Sequence, residues 1–463
     1  MKQINIKNII LIAMVLVCIY LSSNVWLKLP DIVIYKPEEL NKDNKEDFVP
    51  ADIWNVVRPI KNIIKINDKY TILYSDEQDL WGKAVHVIND AFNNFDNSNI
   101  NETAAFPSKY MKFDFNTNIP VDIFSGFMKI DNQNIHTTVR NIKNVIIDLD
   151  NPNSIYIYNG ENTLKIENEN INTQELSKIA NEINFENETK YIFDQKIVEE
   201  TIQVPIPLEK TALNPVFVKS ELDVFDTKAI NKIAKDYFKN NYEYVRKSVE
   251  VNGNLVYMYR SQKILKINAE GLLDFYDVTM ELENKTDVFE GLVSAVNFTN
   301  DFLGFPKDVY LSSVDSIEYD GNYGFRYAFS YKVLDRPILF SKVRENLALQ
   351  IDVVGSNVIS YKRFIRDIDD SNNSKMNEIQ ILPAVDVILK NLADNNKNKD
   401  PDIIQDLTPL SKDVLKDISN IYLGYFDISR ISREQVLRVV WVVEVGDKSY
   451  IFNAITGSLL EEW

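Results

Sequence analysis

The sequence is short of the residues that most protein chemistry needs. A single cysteine, Cys18, serves 463 residues, which excludes an intramolecular disulfide and a thiolate metal cluster. Two histidines, His86 and His136, must fill any role that histidine has. Thirteen glycines leave little material for glycine-rich phosphate loops. Positive charge is outweighed, with 51 Lys and Arg against 68 Asp and Glu and a net charge of −17. That balance repels nucleic acid and anionic headgroups, so no nucleic-acid partner is expected. What is present is core-forming material. Hydrophobic residues make up 45% and charged residues 26%, the mix of chains that bury cores. At roughly 100–200 residues per domain the length predicts about three domains.

One long apolar run opens the chain. Residues 9–27 begin IILIAMVLVCIY and hold nineteen positions without a charge. As a helix they span about 28 Å, close to the roughly 30 Å hydrocarbon core of a bilayer. Lys2 and Lys7 precede the run, Trp26 sits at an interfacial position, and Lys28 can snorkel beyond it. A cleaved signal peptide is the rival reading, but Leu21 is a poor partner for a cut after Ser23 and no Ala-x-Ala follows. Val17 before Cys18 argues against a lipoprotein. Residues 1–30 therefore read as a cytoplasmic stub and an uncleaved transmembrane anchor that meets the lipid bilayer through 9–27.

The flanks set the orientation. Lys2 and Lys7 lie before the run, and Asp31, Glu38, Glu39, Asp43, Glu46 and Asp47 lie after it. The positive-inside rule places the N-terminus in the cytoplasm and the acidic remainder outside a single-pass cell membrane. The near-absence of cysteine suits a Gram-positive surface. About eight cytoplasmic residues cannot form a domain, so anything sensed outside must act through the membrane helix or a partner. Met14, Cys18 and Ser22 recur at i, i+4, i+8 and share one helical face. Small, weakly polar residues let helices approach closely in lipid. This face is the candidate partner-binding site, and the alternative is a helix turned to lipid.

The expected fold class is α+β, with antiparallel sheets each covered by helices. Residues 31–51 are a charged tether. Residues 52–203 read as an N-terminal mixed α/β domain. Strands at 60–66 and 69–75 flank Asn67-Asp68, a hairpin signal. Apolar Leu80, Trp81, Ala84, Ile88, Ala91 and Phe92 predict a helix within 77–95. KYMKFDF, VDIFSGF, KNVIIDL and SIYIYNG read as strands, and 173–183 as a short helix. The three prolines of TIQVPIPLEKTALNP (201–215) suggest a boundary. Beyond it helices at 227–239, 287–303 and 379–392 are each followed by alternating strands, whose apolar face such a helix can cover. This gives a central domain, 204–368, and a C-terminal domain of related topology, 369–463.

Chemical motifs are weak. His86 lies between Val85 and Val87 on the predicted helix, and His136 in NQNIHTTVR. Neither belongs to a nucleophile motif, and Gly-x-Ser-x-Gly and HExxH are missing. Asp148 and Asp150 could form a glycosidase pair, but Asp150-Asn151-Pro152-Asn153 reads as a turn. Asp367, Asp369, Ser371, Asn373 and Glu378 occupy calcium-loop positions, yet Asn372 stands where the loop needs glycine, which favours a solvated loop. No catalytic, metal or cofactor site is expected.

The anchor with Trp26, followed by VVRPIKNIIKINDKYTILYSDEQDLW (56–81), resembles the YycH family. Members are membrane-anchored accessory proteins of the WalK/WalR (YycG/YycF) two-component system of low-GC Gram-positive bacteria. The proline-bearing 201–215 and the ending VVWVVEVGDKSYIFNAITGSLLEEW (439–463) fit, and that ending looks like a PepSY-type strand–turn–strand. The resemblance implies a three-domain extracytoplasmic part built of PepSY-like helix-plus-strands units. It also implies a complex with a YycI-like accessory protein and a WalK/YycG-like sensor histidine kinase, formed partly through transmembrane helices. The function it implies is non-enzymatic modulation of the kinase and hence of cell-wall metabolism. The alternative is an extracytoplasmic PepSY-like binding or protease-inhibitor module.

Overall fold

Short alternating segments separated by turn residues build most of the described chain. The computed structural model describes residues 53–463, apart from 97–99, 103–105, 198–199, 203, 209–212, 214, 279–285, 342–347, 370–378, 393–411, 429–431 and 447. The predicted anchor, the tether and the candidate face Met14, Cys18 and Ser22 lie outside the described residues. So do Ser371, Asn372, Asn373 and Glu378 of the calcium-like count. Among the described residues no helix is long and apolar enough to cross a membrane.

The N-terminal part is a seven-stranded antiparallel sheet. Its order is Lys69–Leu73, Lys61–Ile66, Tyr110–Pro120, Asn141–Asp148, Ser154–Tyr158, Thr163–Glu167 and Ile100–Glu102. The predicted hairpin forms with Ile66 opposite Lys69, and Asn67 takes the left-handed conformation that the tight turn requires (φ 55°). The Leu80–Asn93 helix packs its apolar stripe on one sheet face. Trp81 lies 5.6 Å from the Phe113 ring and 5.3 Å from Phe115, and its Nε1 donates to the Val57 carbonyl at 3.1 Å.

One segment differs from the sequence reading. VDIFSGF is not a strand but the start of the Val121–Met128 helix. Val121, Phe124 and Met128 follow the helical period and are buried, Pro120 closes the preceding strand as N-cap, and Asp122 sits in the positive first turn. Over seven residues the two periods are hard to tell apart, and the proline and acid decide.

The rest of the chain contributes a fifteen-stranded sheet. From its edge the order runs Arg246–Val249, Leu255–Tyr259, Lys263–Ile267, Leu273–Asp277, Asn357–Arg363, Leu349–Val354 and Asn322–Val333. The Arg336–Phe340 strand then pairs in parallel with Ile418–Asp427, which leads on to Glu434–Val445. The Val216–Ser220 strand, just past the proline-bearing segment, joins Glu434–Val445 on one side and Arg366–Ile368 on the other.

Helices precede these strands where the sequence places them. Asp226 caps the Thr227–Phe238 helix by accepting from the Ala229 N–H, and Asp287 caps Val288–Phe302 through the Phe289 and Glu290 N–H groups. Both lie on the strands, with Tyr237 4.2 Å and Phe298 5.4 Å from the Phe275 ring. The third helix is Ala384–Lys390, shorter than predicted because Pro383 sets its start. Trp441, fully buried beneath it, donates Nε1 to the Leu382 carbonyl at 2.8 Å. The observed class is α+β.

Candidate functional site

The residues singled out for chemistry stand apart from one another. His86 is exposed on the Leu80–Asn93 helix. His136 Nδ1 lies 2.6 Å from Asp122 Oδ1 at the surface. Asp148 is buried and acts as a turn closer. Its Oδ1 accepts from the Asp150 and Asn151 N–H groups, both at 2.9 Å, and its Oδ2 from Ser154 Oγ at 3.1 Å. Asp150 points to solvent, where hydrogen bonds from Lys109 and Ser108 hold its carboxyl below the usual range. The pair is therefore a turn, as the sequence indicates. Among the described residues no group of three or more His, Cys, Asp or Glu is placed to hold a metal ion.

The structure instead assembles a junction that the sequence does not announce. The Lys61–Ile66 strand is buried on both faces. Ile64 points into the main core, while Ile63 belongs to a second apolar cluster. That cluster joins Ile63, Ile72 and Tyr74 of the N-terminal sheet to Tyr422, Phe426, Val442 and Leu460 near the C-terminus. Period two puts Lys61 on the same face as Ile63. Lys61 Nζ donates to Asn420 Oδ1 at 2.9 Å and lies 3.6 Å from Asp114 Oδ2. Asn420 Nδ2 donates in turn to Glu444 Oε2 at 3.1 Å, and Asn116 Nδ2 to Glu444 Oε1 at 3.4 Å.

Opposing effects tune these charges. Burial works against both the Lys61 ammonium and the Asp114 carboxylate, but each offsets it for the other. Lys61 is held above the usual lysine range and Asp114 below the usual carboxylate range. At Lys332 the compensation falls short, although Asp308, Asp335 and Asp76 favour its charged form. Burial, with the Arg58 charge nearby, pushes its amine down to about 8, and its Nζ donates to the Tyr74 carbonyl at 2.5 Å. Arg336 stacks over the Tyr74 ring at 4.8 Å. A cavity of about 190 Å³ lies in the same junction, bordered by Phe115, Asn116, Tyr310, Phe329, Tyr422 and Trp463.

A second clasp ties the sheet together further on. Arg366 and Asp427 side chains are wholly buried and meet at 2.8 Å. Arg363 grips Glu221 through two hydrogen bonds of 2.7 and 2.6 Å. These contacts supply no nucleophile and no proton relay. They fix how the parts of the chain lie against each other. The one signal available in the sequence was charge at inward positions of apolar strands, Lys61 in KNIIKI and Asp114 in KFDFN.

No protein-family model and no curated protein matches the sequence. Solved structures do. An uncharacterized protein from Eubacterium rectale is 15% identical over 59% of this chain and 93% of its own, with a TM-score of 0.35. The YpeB C-terminal domain of Bacillus megaterium is 11% identical over 51% of this chain and 96% of its own, with a TM-score of 0.26. The crystal structure of YycH from Bacillus subtilis is 14% identical and covers 88% of this chain and 98% of its own, with a TM-score of 0.55. The chain thus has the fold of YycH, and the resemblance carried by residues 56–81 and 439–463 extends to the architecture of almost the whole protein.

Proposed function

We propose that this chain is a non-enzymatic, membrane-anchored regulator of a WalK/YycG-type sensor histidine kinase, acting with a YycI-like partner on cell-wall metabolism. The observation that carries the reading is the YycH fold, matched over 98% of that protein. In this reading residues 1–30 anchor the chain in the cell membrane with the N-terminus inside. The extracytoplasmic part comprises 52–203, 204–368 and 369–463, the last two being related PepSY-like units. The recurrence of a helix before antiparallel strands supports that relation.

The mechanism requires differential interaction. An accessory helix changes a kinase only if it binds one kinase state better than the other. A coupling of about 1–3 kcal/mol shifts the state ratio roughly 5–150-fold, and helix packing in membranes is of that order. The face of Met14, Cys18 and Ser22 is the proposed contact. The junction around Lys61 and Glu444 ties the parts of the outer body to one another.

The test exchanges residues 1–30 for an unrelated span in the full chain. Kinase output should lose its regulation while the outer body keeps its near-ultraviolet dichroism. Unchanged regulation would move the coupling to the outer domains. Crosslinking in native membranes should capture the kinase. Capture of an envelope protease without the kinase would replace this reading with the inhibitor module.

A further inference from the structure

The junction cavity of about 190 Å³ lies where two strands break their regular pairing. We propose that it is a binding site for a small uncharged molecule, one aromatic ring system with a single hydrogen-bonding group.

The backbone makes the space. The Val309–Tyr319 strand packs against Tyr110–Pro120, and each breaks its ladder where it borders the cavity. In the first, Leu311 lies opposite Phe329 and Ser313 opposite Ala328, so Ser312 is the extra residue of a β-bulge. In the second, the register against Asn141–Asp148 shifts between Asp114 and Ile119, and Asn116 takes the left-handed conformation (φ 56°). Phe115, Asn116 and Ser312, the residues of these two breaks, all line the cavity. A bulge bends its strand and re-aims side chains, and bulges concentrate beside functional sites.

The lining sets the class of ligand. Phe115, Tyr310, Phe329, Phe340, Tyr422 and Trp463 bring six aromatic side chains to it. These favour a flat ring, through offset and edge contacts as well as buried area. The described lining residues include no Lys, Arg, His, Asp or Glu, so a charged ligand would lose its water and meet no counter-charge. Ser330 lies opposite Tyr310 and bonds to its phenol oxygen. Burial pushes that phenol up to about 12, which keeps this wall neutral at physiological pH. The Ser312 and Ser330 hydroxyls can pair with one polar group. A cavity of about 150 Å³ takes benzene, so this one admits a ring with a polar substituent or a second fused ring. It is half-open to solvent, which gives a ligand its way in.

Fluoroindole is the probe, followed by fluorine NMR on the full chain in nanodiscs, with empty nanodiscs as the partition background. Saturable binding of one molecule per chain is expected, with a Kd below about 1 mM. Indole carboxylate, the same ring bearing a charge, should bind at least about tenfold more weakly. Ser312→Phe and Ala348→Leu each fill the cavity and should weaken fluoroindole binding by about tenfold or more. Tyr323→Leu, exposed elsewhere, should not. Near-ultraviolet dichroism checks that the variants are folded, and the carboxylate comparison needs no variant. Absence of a saturable component would overturn the proposal, as would equal affinity for the carboxylate. Undiminished binding in both filled variants, or an equal loss with Tyr323→Leu, would do the same. The measurement uses the chain without a kinase, so its failure would leave the regulator reading standing.

Discussion

Removing the carboxylate of Asp427 should destabilise the protein far more than removing any exposed acid. Arg366 lies with its side chain wholly buried. Its Nε donates to Asp427 Oδ2 at 2.8 Å, its Nη1 to Ser220 Oγ at 2.8 Å and to the Arg433 carbonyl at 2.9 Å. Its guanidinium lies 4.7 Å over the Phe364 ring. These contacts bind together the Val216–Ser220, Arg366–Ile368 and Ile418–Asp427 strands. Asp427→Ala keeps the cation in that dry site and takes away its counter-charge. The expected cost is about 3–5 kcal/mol, against roughly 0–1 for an exposed pair. Replacing both partners, Arg366→Met with Asp427→Leu, removes the stranded charge and should recover most of the loss. Urea unfolding of the full chain in detergent, followed by tryptophan fluorescence, compares the parent with both variants. A loss under about 1 kcal/mol for Asp427→Ala would refute the reasoning, because a stranded buried charge costs several times that. So would a double variant no more stable than the single one.

Lys332 gives a pH signature. Its amine titrates near 8 in the folded protein and higher when unfolded, so the unfolded state holds more protons between about pH 8 and 10, and stability should rise with pH there. Lys332→Met should flatten that slope in melts taken across the window; an equal slope in both proteins would contradict the assignment. Gly324 tests strand packing, since a Cβ there would sit 2.1 Å from the Val353 carbonyl oxygen. Gly324→Ala should lower stability by about 1–3 kcal/mol through overpacking, and an unchanged melting temperature would show that the strands can part.

Local structure was legible where the signal is local. The Asn67-Asp68 turn, the buried stripe of Leu80–Asn93 and the helices at Thr227–Phe238 and Val288–Phe302 each need only a few neighbouring residues to be read. The Val121–Met128 helix was read as a strand because seven residues sample too little of either period. The junction was out of reach for a different reason. Lys61 and Asn420 are 359 positions apart, and an apolar strand such as KNIIKI announces two buried faces without naming what covers the second. The same holds for the parallel pairing of Arg336–Phe340 with Ile418–Asp427, which no turn connects. The candidate face at Met14, Cys18 and Ser22 lies outside the described residues.

A junction filled with oil alone would hold as well, which raises the question of why Lys61, Asp114 and Glu444 stand there. A buried ion pair seldom stabilises a protein beyond a well-packed apolar replacement. Its geometry is another matter. Apolar faces can shift against each other with little change in buried area, whereas the run from Asp114 through Lys61 and Asn420 to Glu444 is satisfied in one alignment. If the charges serve orientation, Lys61→Met with Asp114→Leu should leave the unfolding free energy from urea melts within about 1 kcal/mol of the parent. The relative placement of the two sheets should loosen all the same. Spin labels at exposed Asp90 and Glu434, in Cys18→Ser protein, report that placement as a distance distribution. A broadened distribution at nearly unchanged stability is the expected result. A distribution as narrow as the parent's would mean that the apolar cluster alone sets the alignment, and that the charges at this junction orient nothing.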